Sequence, residues 1–220
     1  MNVSKALSFI EKHGILLVFP IDNRKDPLSL WSSFHPRSEM RWEWDSDGDN
    51  RVADLWRLRE QLSRSGKVVY TKWFRGRATF FSREIFVAML AALGSSRDTR
   101  TGALSDLSPP AREILGILQS DSPLSTKELK RASGLQGKLH ERAYEHALKA
   151  LWSRLLIVGY GERDDGAFPS LLVGASQLLF EELWSESIEM APKEGRDRVE
   201  ARVQEASPFL KQFLKQISGT

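Results

Sequence analysis

SPPAREILGILQSDSPLSTKELKRASGLQGKLHERAYEHALKALWSRLLIVGYGERDDGAFPSLLV, the run from Ser108 to Val173, decides how this chain is read. Ser108-Pro109-Pro110 opens a helix that runs to about Gln119, because proline is tolerated in a first turn whose N–H groups lack partners anyway. Asp121-Ser122-Pro123 turns the chain. Ser125-Thr126-Lys127-Glu128 has the spacing of a capping box, and Gly134 closes the short helix that it starts. A third helix is expected from about Lys138 to Leu155. Two short β runs follow, Leu156 to Tyr160 and Phe168 to Val173, around a tip containing Asp165-Gly166, a strong local hairpin signal. Three helices followed by a two-stranded hairpin is the order of a winged helix-turn-helix.

Working outward, three more helices are expected near residues 176–189, 193–206 and 208–217. The last carries an apolar stripe of Phe209, Leu210, Phe213, Leu214 and Ile217. Towards the N-terminus, residues 95–107 are small and polar and read as a linker. Before them, Ser82 caps a helix from Arg83 to Leu93 that Gly94 ends. Lys67 to Phe74 and Arg77 to Ser82 are β-rich and flank a hairpin at Arg75-Gly76-Arg77. Arg51 to Arg64 is helical, with Leu55, Leu58 and Leu62 at helical spacing. Residues 22–50 read as loop, Ile15 to Ile21 as a buried strand, and Val3 to His13 as a helix stopped by Gly14. The fold class is therefore mainly α with small β-hairpins (α+β), a winged helix-turn-helix with a second, divergent unit in tandem. The expected domains are residues 1–100, 106–174 and 175–220.

Composition narrows the function classes. With 220 residues and 41% hydrophobic content, the chain can bury a core. It has no cysteine, which excludes disulfides, thiol catalysis and Cys-ligated metals. The longest stretch without a charged residue, Gly166 to Phe180, contains Pro169 and Gly174 and falls short of the roughly 20 apolar residues of a membrane span. Glu11 and Lys12 interrupt any apolar leader. A cytoplasmic protein without a membrane partner is expected, associated at most with the nucleoid.

Charge points to a partner. Residues 51–83 hold nine basic residues against two acids, Asp54 and Glu60, whereas residues 160–200 hold four basic residues against ten acids. A basic stretch interleaved with aromatic residues suits a polyanion such as duplex DNA. Arg64, Lys67, Lys72, Arg75 and Arg77 are the expected phosphate contacts. On the third helix, Lys138, Arg142 and Lys149 fall with Glu145 within about 60° of one another. That face is the one a winged helix lays in the major groove. The wing is a counter-signal: Glu162, Asp164 and Asp165 outnumber Arg163, and an acidic tip repels phosphate. Trp73 and Phe74 could stack on bases, but anchoring a strand is the more ordinary role for them.

Familiar chemistry is scarce. His140 and His146 are six residues apart, about 120° on a helix, and cannot form the i, i+4 zinc pair of H-E-x-x-H. Asp45-Ser46-Asp47-Gly48-Asp49 starts like a calcium loop, but its glycine comes two places early and Trp56 occupies the position of the closing glutamate. There is no P-loop, no dinucleotide fingerprint and no nucleophile elbow. No metal and no cofactor are expected. Asp54, Glu60 and Gln61 are the polar groups inside the basic stretch that a hydrolase would draw on, and they read as helix-surface residues.

Several segments in order carry a family resemblance: Ile15-Leu16-Leu17-Val18-Phe19-Pro20, Trp56-Arg57-Leu58-Arg59, Val69-Tyr70-Thr71-Lys72-Trp73-Phe74-Arg75-Gly76-Arg77-Ala78-Thr79-Phe80, and Leu124-Ser125-Thr126-Lys127-Glu128-Leu129 with Ala147-Leu148. Together they resemble a bacterial family of short proteins related to AlkZ, in the YcaQ/AlkZ superfamily of winged-helix DNA glycosylases. The resemblance covers most of the chain. It implies tandem winged helices and a role near DNA, in repair of alkylated or crosslinked bases. The superfamily's glycosylases position water with a Gln-x-Gln or Gln-x-Asp motif. This sequence has no Gln-x-Gln, and no catalytic residue is carried over.

The expected function is DNA binding linked to repair. A DNA glycosylase is the enzyme alternative, and would need a concave basic cleft between the halves that holds a carboxylate or amide. A protein-interaction module, dimerising or docking a partner through the C-terminal helices, is the third.

Overall fold

The computed structural model describes residues 1–42, 50–95, 106–166 and 169–218. The calcium-like string and Trp44, most of the expected linker, and Ala167 with Phe168, where the second β run was expected to start, lie outside the described residues. The elements are α1 (Val3–His13), β1 (Ile15–Leu17), α2 (Leu30–Phe34), α3 (Arg51–Arg64), β2 (Val69–Thr71), β3 (Thr79–Phe81), α4 (Arg83–Leu93), α5 (Pro109–Ser120), β4 (Leu124–Ser125), α6 (Thr126–Ala132), α7 (Glu141–Ser153), β5 (Ile157–Arg163), β6 (Ser170–Ala175), α8 (Ser176–Leu179), α9 (Glu181–Glu189), α10 (Pro192–Arg202) and α11 (Pro208–Ile217). The fold is α+β, mainly helical, with a small antiparallel sheet.

Local chemistry explains the boundaries. The Asn2 side chain accepts the Ser4 N–H at 2.8 Å and caps α1. Ser82 caps α4 through the Ile85 N–H at 3.4 Å, and Gly94 ends it in the left-handed conformation. The capping box at α6 is complete: Glu128 N–H donates to Ser125 Oγ at 3.2 Å, and Ser125 N–H donates to a Glu128 carboxylate oxygen at 2.9 Å.

Among the described residues, six strands run β1-β3-β2-β5-β6-β4 in one sheet. Strand alternation divides the first three strands between two cores. Ile15, Leu17, Val69 and Phe81 face a large core with α4, α5, α7 and the C-terminal helices. Leu16, Tyr70 and Phe80 face a smaller one with α1, α2 and α3. These strands are buried on both faces, so they do not alternate apolar with exposed polar residues; even Thr71 and Thr79 are buried. A single bridge, Tyr70 to Gly159, joins β2 to β5 and carries the sheet from the first half of the chain into the second. Packing thus crosses the expected divisions at 100, 106 and 174. Gly195 in α10 also crosses them: a Cβ there would lie 2.5 Å from the Ala88 carbonyl, so α10 reaches α4 at backbone distance.

Residues 109–175 run α5-β4-α6-α7-β5-β6, with β4 paired to β6 and β6 to β5. The order of three helices and two paired strands is the one anticipated for this stretch, whereas β4 was not expected. Several expectations need correction. Ile15 to Ile21 is a strand for only three residues, because Val18 bonds outside the sheet, to Ala78 and Trp31. The loop expected at 22–50 contains α2, which Ser29 caps. The third helix begins at Glu141, since Gly137 with φ 83° breaks the backbone ahead of it. Lys138 therefore lies in a turn and does not share a helical face with Arg142 and Lys149. The stripe on α11, by contrast, takes the ordinary role of such a stripe and packs inward: Phe209, Leu210 and Phe213 are buried, and the Phe209 ring meets Phe74 edge-on at 4.9 Å. Among the described residues, no helix is long and apolar enough to cross a membrane.

Candidate functional site

A cleft of about 890 Å³ lies where the two halves of the chain meet. One wall comes from residues 19–23, α3, the end of β2 and the turn 76–78; the other comes from the start of α6, from Glu162 on β5 and from residues 169–171. The turn between β2 and β3 takes left-handed backbone at Arg75 and Gly76, which aims Arg77 back at the cleft.

Aromatic rings line the mouth. The Phe19 ring lies 5.0 Å from Trp42 and 6.5 Å from Trp56, and both tryptophans are exposed. Asn23 holds this wall in place. Its side-chain amide donates to the Met40 carbonyl at 3.0 Å and accepts the Met40 N–H at 2.8 Å. Asx residues tolerate the left-handed backbone that Asp22 and Asn23 adopt here, with φ 50° and 54°.

Arg59 forms the floor. Its side chain is 6% exposed and is ion-paired through Nη2 with Glu162, itself 11% exposed. Its guanidinium lies 4.1 Å from the Trp56 ring centre, and Nη1 donates to the Tyr70 hydroxyl at 3.5 Å. Trp56 Nε1 donates to the second Glu162 oxygen at 3.2 Å. Among the described residues, Arg59 Nε is buried without a hydrogen-bond partner. Burial opposes the charge on Arg59, but Tyr70 and Glu162 outweigh it and raise its pKa. Burial likewise raises the Tyr70 phenol, against the pull of Arg59, so it stays neutral.

Backbone geometry brings Glu162 here. The β5–β6 register shifts between Gly159 and Glu162, a bulge that redirects the side chain. Gly161 at this bulge has φ 83°, and a Cβ there would fall 2.5 Å from Arg64 Nε. Arg64 stacks over that glycine, pairs with Glu60 and donates to the Glu162 carbonyl. A Cβ at Gly159 would fall 2.3 Å from the Tyr70 ring, so the two halves touch here at backbone distance.

The expected DNA contacts separate into three groups. Lys72 and Arg77 line the cleft, and Arg64 clamps its edge. Lys67 and Arg75 are exposed, Arg75 lying over the Phe74 ring at 5.0 Å. Lys138, Arg142 and Lys149 are exposed on or before α7, which contributes no residue to the cleft. Trp73 and Phe74 are core. The acidic residues 162–165, expected to repel phosphate, are largely compensated. Glu162 turns inward to Arg59, Asp165 pairs with Lys127 at 2.9 Å, and Arg163 pairs with Glu128, leaving Asp164 exposed. The groups weighed for hydrolysis lie outside: Asp54 pairs with Arg57 at 3.1 Å, Glu60 with Arg64, and Gln61 is exposed. The chain's one Gln-x-Asp string, Gln119-Ser120-Asp121, is exposed at the end of α5, away from the cleft.

Arg59, Asp22, Lys127 and Glu162 are site residues that sequence reasoning missed. Arg59 had a signal, because it falls on the inward stripe of α3, four residues after Leu55 and three before Leu62. Glu162 had only a faint one, the Gly159-Tyr160-Gly161 sequence that permits a bulge.

No curated protein and no solved structure matches the chain. The family described as AlkZ related matches residues 1–218. With nearly its whole length matched, the chain belongs to the AlkZ-related family.

Proposed function

We propose that this protein binds duplex DNA as part of base repair, and that the cleft between its halves receives a nucleobase drawn out of the stack. The observation that carries this reading is the exposed pair Trp42 and Trp56, joined through Phe19, beside the cations Lys72 and Arg77. Extruding a base costs a few kcal/mol, least at a damaged or mismatched pair, and stacking on an aromatic wall returns about 1–3 kcal/mol. Residues 109–175 act in this reading as a winged helix, with Arg142 and Lys149 of α7 on phosphates or guanine edges. Arg64, Lys67, Arg75, Arg77 and Lys138 neutralise the backbone.

The test is fluorescence anisotropy on labelled duplexes that are plain, mismatched or alkylated, titrated with salt. The expected result is salt-sensitive binding that is tighter to the mismatched or alkylated duplex than to the plain one. No affinity for any duplex at low salt refutes the reading and favours a protein-interaction module. A glycosylase reading has one specific observation in its favour, a basic cleft between the halves that holds carboxylates. Glu162 is tied to Arg59 and Trp56, whereas Asp22 lines the cleft with no ion pair among the described residues. In that reading Asp22 orients the attacking water, and release of an alkylated base that Asp22→Asn abolishes is the corresponding assay.

A further inference from the structure

Lys72 has a feature that phosphate binding does not require. It follows β2 at the cleft wall, half-buried, and among the described residues it has no carboxylate partner and no side-chain hydrogen bond. Three of the cations around it differ in this respect, and Arg77, which has no ion pair either among the described residues, is exposed where Lys72 is half-buried. Arg59 is paired with Glu162, Arg64 with Glu60 and Lys127 with Asp165. Burial and then the Arg59 charge push the Lys72 ammonium below the usual lysine range. A desolvated amine beside a second cation is the arrangement that turns lysine into a nucleophile towards carbonyl groups.

We propose that Lys72 captures a carbonyl, and that its substrate is the ring-opened aldehyde of an abasic deoxyribose in DNA. The substrate assignment rests on the DNA-binding reading above. Loss of a base leaves a sugar hemiacetal in equilibrium with an aldehyde at C1′. The Nζ lone pair adds to C1′, the carbonyl π pair moves onto oxygen, and a proton passes from nitrogen to that oxygen. The nitrogen lone pair of the carbinolamine then expels the hydroxyl group, which leaves as water with the remaining N–H proton, and an imine results with no net oxidation or reduction. The cleft suits such a sugar, because the vacated base leaves the aromatic mouth open and Arg77 can meet a flanking phosphate.

The experiment incubates the full-length chain with a labelled duplex bearing one abasic site and with cyanoborohydride, which reduces the imine to a stable amine. The expected result is a complex that survives a denaturing gel, is mapped by peptide mass spectrometry to Lys72, and is lost in Lys72→Arg and Lys72→Met. Thermal melts of both variants report whether they fold. The cleft's charged and titratable groups are Asp22, Arg59, Tyr70, Arg77, Lys127 and Glu162. Arg59→Gln removes the neighbouring cation, so the rise of trapping with pH should move to higher pH, a shift that a purely structural lysine would not show. Absence of an adduct, or an adduct at the N-terminal amine or another lysine, overturns the proposal. If the chain binds plain duplex but yields no Lys72 adduct, the capture step alone falls. If it binds no duplex, the DNA reading and the abasic substrate fall together. Labelling of Lys72 by free 2-deoxyribose 5-phosphate would then still report the reactivity of the amine.

Discussion

Replacing Glu162 by glutamine tests whether the ion pair at the cleft floor links the two halves. The change keeps the shape and leaves an oxygen for Trp56 Nε1, but removes the charge opposite Arg59. Both side chains are almost wholly buried, at 6% and 11% exposure, so solvent screens the pair little. Removing one partner of a buried pair costs about 3–5 kcal/mol, because the other charge stays buried without compensation. The retained Trp56 contact puts Glu162→Gln at the low end, near 3 kcal/mol. A chain of this size loses about 2–4 °C of Tm per kcal/mol, so the melt should fall by roughly 6–12 °C. The single variants Arg59→Met and Glu162→Leu should each lose stability for the same reason, and the double variant Arg59→Met/Glu162→Leu, which removes both charges, should recover most of the loss, since apolar replacement of a whole buried pair is often near neutral. Urea unfolding followed by tryptophan fluorescence, with Trp56 inside the network, measures the cycle. A coupling energy of about 2 kcal/mol or more is expected. Additive single and double variants, or a Glu162→Gln melt within about 1 °C of wild type, would refute the reasoning.

Gly161→Ala forces a Cβ into the Arg64 side chain at φ 83° and should cost about 1–3 kcal/mol, readable by the same unfolding assay; an unchanged midpoint would show that the bulge tolerates a side chain. Ser125→Ala removes one half of the capping box and should cost about 1 kcal/mol in urea unfolding, whereas a neutral result would mean that tertiary packing alone fixes α6. Four to six engaged cations give a slope of log affinity against log salt of about −4 to −5, and charge reversal of Arg75 and Arg77 together should flatten it by about 2. A slope left unchanged removes both residues from the interface. The Ser125 N–H, then Arg163, hold the Glu128 carboxyl below the usual range. Its stabilising contribution is therefore full above the unfolded-state pKa and lost as pH falls through the folded one. Glu128→Gln should flatten the acid limb of a stability–pH curve, and an identical limb would exclude it as a contributor.

Local chemistry made much of this fold legible. Caps at Asn2, Ser82 and Ser125, glycine stops and the period of the apolar residues act over a few residues. The bounds of α1, α3 and α4 can therefore be read directly from the sequence. The α11 stripe was legible as apolar, and only the packing of Phe209 on Phe74 determined that it is core.

The site was less legible, because its parts lie far apart in the chain. Arg59 and Glu162 are separated by more than a hundred residues, and no sequence period relates them. Sequence counted Glu162 among the charges of a repelling wing. The bulge at Gly161 and the bridge from Tyr70 to Gly159 made it the inward partner of a buried arginine. Lys72 was legible as a cation, and only the closed wall around it set it apart from its neighbours. Sequence alone determined most of the helices, the hairpins and the supply of charge, since those follow from local sterics and composition, while α2 and the late start of α7 escaped it. The tertiary structure decided which charges are paired and which face the cleft, because burial and ion pairing depend on segments that meet only when the sheet is complete.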